Sequence, residues 1–210
     1  MSALQKANFV PFPNKSVVVI AITAPSSCGK TTQVEGLVKR LENTGLQIAV
    51  ISVSNLLWNY QDENGAYPYR QIIKAGGLVQ EEATTNRVTQ EIDKLKKLYD
   101  IIIIDGHPRS KKAAKLMSRI YDWVFFLDVS RQEQKRRFVA QSKEGRNDGS
   151  KKAIRNRLRG RRKVYAAAKV FAELGIANYI DANGTQEETA TRLFWTVKNF
   201  LQRERLGAGA

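Results

Sequence analysis

"SVVVIAITAPSSCGKTTQVEGL", residues 16–37, decides the reading of this chain. An unbroken apolar, β-branched run leads into a short loop ending in Gly29-Lys30-Thr31, and a helical pattern opens at Lys30. Strand, tight loop and helix in that order are the context a phosphate-binding loop requires. The backbone N–H groups of Ser27, Cys28, Gly29, Lys30, Thr31 and Thr32 are expected to point toward a bound phosphate. The helix start adds its unpaired donors and the positive end of its dipole. Lys30 is the candidate to reach β- and γ-phosphates, and Thr31 the candidate to ligate Mg²⁺, directly or through water. The first glycine of such a loop is missing, and Ala24 stands there. Alanine is the smallest replacement and can stay if its φ is negative. Cys28 within the loop is read as a small filler or, less simply, as a redox-sensitive thiol at a helix N-terminus. The plain alternative for the whole stretch is a strand–helix turn with an exposed lysine.

Working outward, apolar runs at 16–22, 47–52, 101–105, 123–129 and 177–181 read as strands covered on both faces. Helical patterns fall near 30–44, 79–98, 109–120, 130–143, 150–174 and 186–204. Strands alternating with helices argue for right-handed βαβ units in a parallel sheet. Two stretches break the alternation. Residues 53–98 place helical segments and the turn-like "QDENGAYPYR" between the second and third strands, and 141–150, "QSKEGRNDGS", is a polar loop. Both are expected at the carboxyl ends of the strands, where open α/β sheets bind ligands.

The chain has 210 residues, which fits one domain with small inserted lobes. No apolar run approaches the roughly 18 residues of a membrane span, and the N-terminus shows no signal core. A single cysteine excludes an internal disulfide framework and a Cys-rich zinc site. A cytoplasmic location is the expectation. The formal charge of +15 makes anionic partners the expectation too. From Arg131 to Lys163 there are fourteen Lys or Arg against three acids. This block is the candidate for phosphate contact, including contact with nucleic acid.

A second motif makes the first specific. "YDIIIIDGHPRS" puts Asp105 at the end of an apolar strand, where a carboxylate can hold Mg²⁺ or its water shell. Arg109 follows four residues on with a planar fork suited to phosphate.

With these residues in hand, the chain resembles the adenylate kinase family of nucleoside monophosphate kinases over about residues 16–200. The resemblance rests on "APSSCGKTT", "KAGGLVQEE" (74–82), "IIIIDGHPRS", "FFLDVSRQEQKRRF" and "GRNDGSKKAIRNRL". It implies a three-layer α/β/α P-loop fold with a five-stranded parallel sheet. The core would comprise 1–52, 89–140 and 151–210, with a helical lobe for the monophosphate at 53–88 and a short lid at 141–150. It implies ATP as phosphoryl donor, Mg²⁺, and a nucleoside monophosphate as acceptor, AMP leading. Arg146 and Arg157, eleven residues apart, match the family's lid pair, and Arg137 stands where the family places an arginine over the donor base. With Lys30 and Arg109 these make the expected cationic set.

The sequence departs from the family on the acceptor side. Trp58 stands where an arginine is usual, Ala113 is nearest to a usual glutamine, and Gln141 replaces a hinge arginine. His107 replaces an aromatic or apolar residue; it is read as a neutral ring against a base or ribose, or as an acid/base. Trp58 is a candidate to stack on the base, or a member of the lobe's own core with Tyr60, Tyr67 and Tyr69. Asp148 is read as a lid-arginine or ribose partner, or as a helix cap. In the helix "RNRLRGRRKVY", Arg157 is the expected site residue, and Arg155, Arg159, Arg161, Arg162 and Lys163 are expected at the surface or in contact with a polyanion. The other reading kept open is a P-loop ATPase or kinase associated with RNA or DNA. A GTPase would carry an Asn-Lys-x-Asp segment and a thymidylate kinase Asp-Arg after the third strand; neither is present.

Overall fold

The computed structural model describes residues 17–143 and 151–205; for 141–143, 151–154 and 205 it describes the backbone alone. Five strands, β1 (Val18–Thr23), β2 (Ile48–Ser52), β3 (Ile101–Asp105), β4 (Trp123–Asp128) and β5 (Ala177–Asp181), form one parallel sheet in the order β2-β3-β1-β4-β5. Helices cover both faces: α1 (Lys30–Leu41), α2 (Val53–Trp58), α3 (Arg70–Lys74), α4 (Glu81–Leu95), α5 (Lys111–Met117), α6 (Arg131–Lys143), α7 (Lys151–Glu173) and α8 (Gln186–Arg205). This is the three-layer α/β/α fold expected from the strand–helix alternation.

The β-branched runs explain the layers. Alternate side chains of a strand point to opposite faces. Val18, Ile20 and Ile22 of β1 pack with Ile101 and Ile103 against α1 and α8, while Val19, Ala21, Ile102 and Ile104 pack against α4, α5 and α7. In α1 the buried residues Gln33, Val34, Leu37 and Leu41 recur at helical spacing. The helix gives way to a 3₁₀ turn over Glu42–Thr44, closed by Gly45 at a φ of 79°. Truncating a fully buried residue such as Ile103 to alanine costs about 2–5 kcal/mol.

The topology creates the site. Strands β1 and β3 are hydrogen-bonded neighbours, Ile22 in register with Asp105. The helix after β1 lies on one face, and the helix after β3 on the other. Chain departing to opposite faces from adjacent strands leaves a crevice at their carboxyl ends. The two motifs, 24–32 and 105–110, meet there.

The expected lobe boundary meets a continuous helix. Helix α4 runs unbroken from 81 to 95, so the lobe boundary at residue 88 falls inside a helix. Its buried Thr84, Thr85, Val88 and Ile92 span that boundary, and Val88 and Ile92 belong to the core of that layer. The short lid lies outside the described residues from 144 onward. No described helix is long and apolar enough to cross a membrane.

Candidate active site

The phosphate loop is preformed by its backbone. Ser27 has a φ of 63° and Gly29 one of 77°. Ser27 is the one non-glycine residue at positive φ among the described residues, so Ala24 keeps an ordinary backbone and, fully buried, packs into the core. That is why the missing glycine is tolerated. No side chain caps α1, and among the described residues the N–H groups of Gly29, Lys30, Thr31 and Thr32 have no acceptor. Four aligned donors at a helix N-terminus make an anion seat.

Asp105, 4% exposed, closes the other side. Its Oδ1 pairs with Lys30 Nζ, and its Oδ2 accepts from the Thr31 hydroxyl at 3.3 Å. Burial lowers the Lys30 pKa, and the Asp105 charge and hydrogen bond oppose that shift. Gly106 has a φ of 94°, and a Cβ there would lie 3.2 Å from Lys30 Nζ. The positive φ favours glycine, and a Cβ would push the lysine end aside by a few tenths of an ångström. The Gly106 N–H donates to the Ile22 carbonyl at 3.0 Å, and the Thr23 hydroxyl to the Pro108 carbonyl at 2.9 Å. These bonds stitch the two loops together; the His107–Pro108 peptide between them is cis.

Arg109 donates to the Ser26 hydroxyl at 3.3 Å, while its buried Nε has no partner among the described residues. Burial lowers its pKa first, and the charge of Arg157 lowers it further. The Asp105 charge opposes these shifts. His107 is buried and its Nδ1 lies 2.6 Å from the Tyr121 hydroxyl. Burial, then the Arg109 charge, pushes its pKa down to about 3. A ring so placed is neutral at physiological pH, which favours the neutral imidazole over the acid/base reading. Its Nε2 is buried without a partner among the described residues.

One cleft of about 320 Å³ joins these parts. It is lined by Ser27 to Thr32, His107, Arg109 and Arg157, and also by Leu57, Ile73, Val79 and Thr84 of the lobe side. Ala113 lines it as well; its N–H donates to the capping hydroxyl of Ser110 at 3.1 Å. Asn156 of α7 donates to the Ala75 carbonyl at 3.0 Å, which joins the start of α7 to the end of α3.

Three expected placements change. Trp58 is absent from the lining; Leu57, one residue earlier, takes that place. The Trp58 ring instead lies beside Arg70 at 5.4 Å and Lys74 at 5.7 Å, while Arg70 Nε donates to the Trp58 carbonyl at 3.0 Å. Arg137 is also absent from the lining. Its guanidinium donates to the carbonyls of Cys28 (3.1 Å), Ala182 (2.7 Å) and Gly184 (3.3 Å) and to Glu133 (2.7 Å). It clamps the phosphate loop to the turn after β5. Arg161, expected at the surface, is partly buried. It donates to Gln134 at 3.2 Å, the Val129 carbonyl at 2.6 Å and the Tyr165 hydroxyl at 2.5 Å. Gln134, fully buried, passes the link on to the Ser26 carbonyl at 2.9 Å.

Cys28 is filler. It is 2% exposed, and burial pushes its thiol up to about 12 despite Arg137 and Arg161 nearby. Tyr60 and Tyr69 stack at 5.4 Å within the lobe, and Tyr67 lies under Arg70 at 3.2 Å. Arg146 and Asp148 lie outside the described residues. Sequence reasoning missed Ser26, Gln134 and Arg161 as loop supports, and the apolar wall of Leu57, Ile73 and Val79.

A family model described as an AAA domain matches residues 23–155. The match takes in the phosphate loop, the lobe, the Asp105–Ser110 turn and α6. No curated protein matches the chain.

Proposed function

The chain belongs to the AAA domain family, a P-loop nucleotide kinase or ATPase domain, and from that premise we propose that it is a nucleoside monophosphate kinase. The reaction is ATP + NMP = ADP + NDP, with AMP the leading acceptor. The observation that carries this reading is the double wall of the cleft. The same cavity is lined by the phosphate loop and by Leu57, Ile73, Val79, Thr84 and Ala113. An enzyme that only hydrolyses ATP has no use for the second, apolar wall. A flat base set beside a monophosphate does.

Phosphoryl transfer needs in-line placement and cancellation of charge rather than a strong base. The amides of Gly29 to Thr32 and Lys30 hold the donor phosphates. Arg109 and Arg157 flank the transferring group, and Arg146 is kept with them as the second lid arginine. Arg137 acts as a positioning residue, because its donors are spent on backbone carbonyls and Glu133. Thr31 and Asp105 fit Mg²⁺: a hydroxyl and a carboxylate, both hard oxygen donors, 3.3 Å apart. Phosphate oxygens and water would supply its remaining ligands. Held by these two residues, the ion would supply neutralisation of phosphate charge. Closure over the cleft excludes water, the competing acceptor.

The test is a panel of ribo- and deoxynucleoside monophosphates with MgATP, read by chromatography of the diphosphate. Diphosphate that depends on the added monophosphate, and its loss in Lys30→Ala by roughly 10²–10³ or more, is the expected result. ATP hydrolysis that no monophosphate diverts would replace this reading with the ATPase.

A further inference from the structure

The basic block at 131–163 does not act as one surface. Arg136 and Arg137 pair with Glu133, the partly buried Arg161 is bonded to Gln134 and the Val129 carbonyl, and Arg157 lines the cleft. What remains outward on α7 is Arg155, Arg159, Arg162 and Lys163, all exposed and spaced at i, i+4, i+7 and i+8. That spacing is one helix face. Helix α5 packs beside α7 in the same layer, in the largest helix–helix contact of the fold. It presents Lys111 and Lys115, and Arg119 follows just past its end, all three exposed. No acid lies within ion-pair distance of any of these seven cations among the described residues; Lys112, by contrast, is neutralised by Glu82. On the opposite layer, α8 carries Glu187, Glu188 and Glu204, and its side pairs Arg40 with Glu187 and Arg192 with Asp181.

We infer that the outer face of α5 and α7 is a docking surface for a nucleic-acid backbone. Seven unpaired cations on two adjacent helices complement a row of phosphates. Four of the seven are arginines, whose forks suit phosphate oxygens. The chemistry argues against other partners. A protein interface needs an apolar centre, and Leu116 is the one large apolar side chain markedly exposed on the described parts of these helices. No exposed aromatic ring stands on them, so the face contacts phosphates and does not stack on bases. Binding is therefore indifferent to sequence and steep in salt. The surface lies apart from the cleft and goes beyond the kinase reading, since its test needs no turnover.

The test is fluorescence anisotropy of a labelled DNA duplex of mixed sequence, titrated with the full chain across a potassium chloride series from about 50 to about 300 mM. The quadruple variant Lys115→Glu, Arg119→Glu, Arg159→Glu, Arg162→Glu removes the face. A control variant, Lys198→Glu with Arg203→Glu, changes charge on α8. Five of the six side chains are exposed and Lys198 is partly exposed, and a thermal melt checks that each variant folds. The wild type should bind with log K falling by about 0.9 for each phosphate contacted, per decade of salt. The quadruple variant should bind at least about tenfold more weakly at the lowest salt, with a shallower slope, and the α8 variant should bind far closer to wild type. No binding at low salt overturns the proposal. So does a weakening by the α8 variant in proportion to its charge, two reversals against four, which would make the attraction a property of net charge alone. Binding to poly-glutamate or to anionic phosphatidylserine vesicles in preference to the duplex overturns it as well.

Discussion

Gln134 Nε2 donates to the Ser26 carbonyl at 2.9 Å, and it does so from a fully buried side chain whose Oε1 accepts from Arg161. The phosphate loop is thereby tied to α6 and α7 through one amide. Gln134→Ala leaves the Ser26 carbonyl and the Arg161 fork short of partners, at a cost of about 1–3 kcal/mol. Urea unfolding should show that loss, and nucleotide titration should show weaker binding. Unchanged stability and affinity together would remove the amide from the support of the loop.

Arg137 has a comparable task from another direction. Arg137→Ala should lower stability by about 1.5–3 kcal/mol, because charged hydrogen bonds to three carbonyls are lost. Arg137→Lys should fail to restore it, since an ammonium cannot span carbonyls in a fixed fork. If the variant keeps full stability and changes only the Michaelis constant for donor nucleotide, Arg137 belongs over the donor base instead.

Gly106→Ala places a Cβ beside Lys30 Nζ at a φ that L-residues rarely adopt. The strain is about 1–3 kcal/mol. The variant should lose nucleotide affinity as well as stability, because the displaced lysine is the one that meets phosphate. Calorimetric titration with MgATP beside a thermal melt separates the two effects; a melt that shifts with affinity intact would refute the link.

His107 gives a pH signature. Its pKa in the fold is about 3, against an ordinary value of 6.5. Between those values the unfolded chain binds the extra proton, so stability rises with pH. The contribution is complete above 6.5 and is lost as pH falls toward 3, by at most about 1.4 kcal/mol per pH unit. The stability advantage of wild type over His107→Phe should therefore shrink between pH 7 and pH 4.5, by about 2–3 kcal/mol at most. An advantage that is constant across that range would contradict the neutral buried ring.

Cys28 should resist iodoacetamide at pH 8. With its thiol at about 12, the thiolate is on the order of one part in 10⁴, and the side chain is buried. Labelling should appear with unfolding. Rapid labelling of the native protein would restore the redox-sensitive reading.

Much of this was legible in the sequence, for a physical reason. β-branched runs such as "IIIID" specify buried strands almost alone, and a glycine before Lys30 at the mouth of a strand has few other uses. The neighbourhood of the two motifs followed from the parallel sheet. What was not legible depends on a helix's rotation about its axis. Leu57 and Trp58 are adjacent in a helix of six residues, and about 100° of turn decides which one lines the cleft. Arg161 was readable in hindsight: Val164 and Ala168, both buried, lie three and seven residues after it. Counting its charge outweighed its position. The carbonyls that Arg137 and Gln134 hold come from loops, whose paths no side-chain pattern specifies.

Helix α7 carries Arg157 on its inward side and Arg155, Arg159, Arg162 and Lys163 on its outward side, without a break. A stiff rod loaded along one flank cannot roll without moving the other. Whatever rotates this helix from outside thus carries Arg157 with it across the mouth of the cleft.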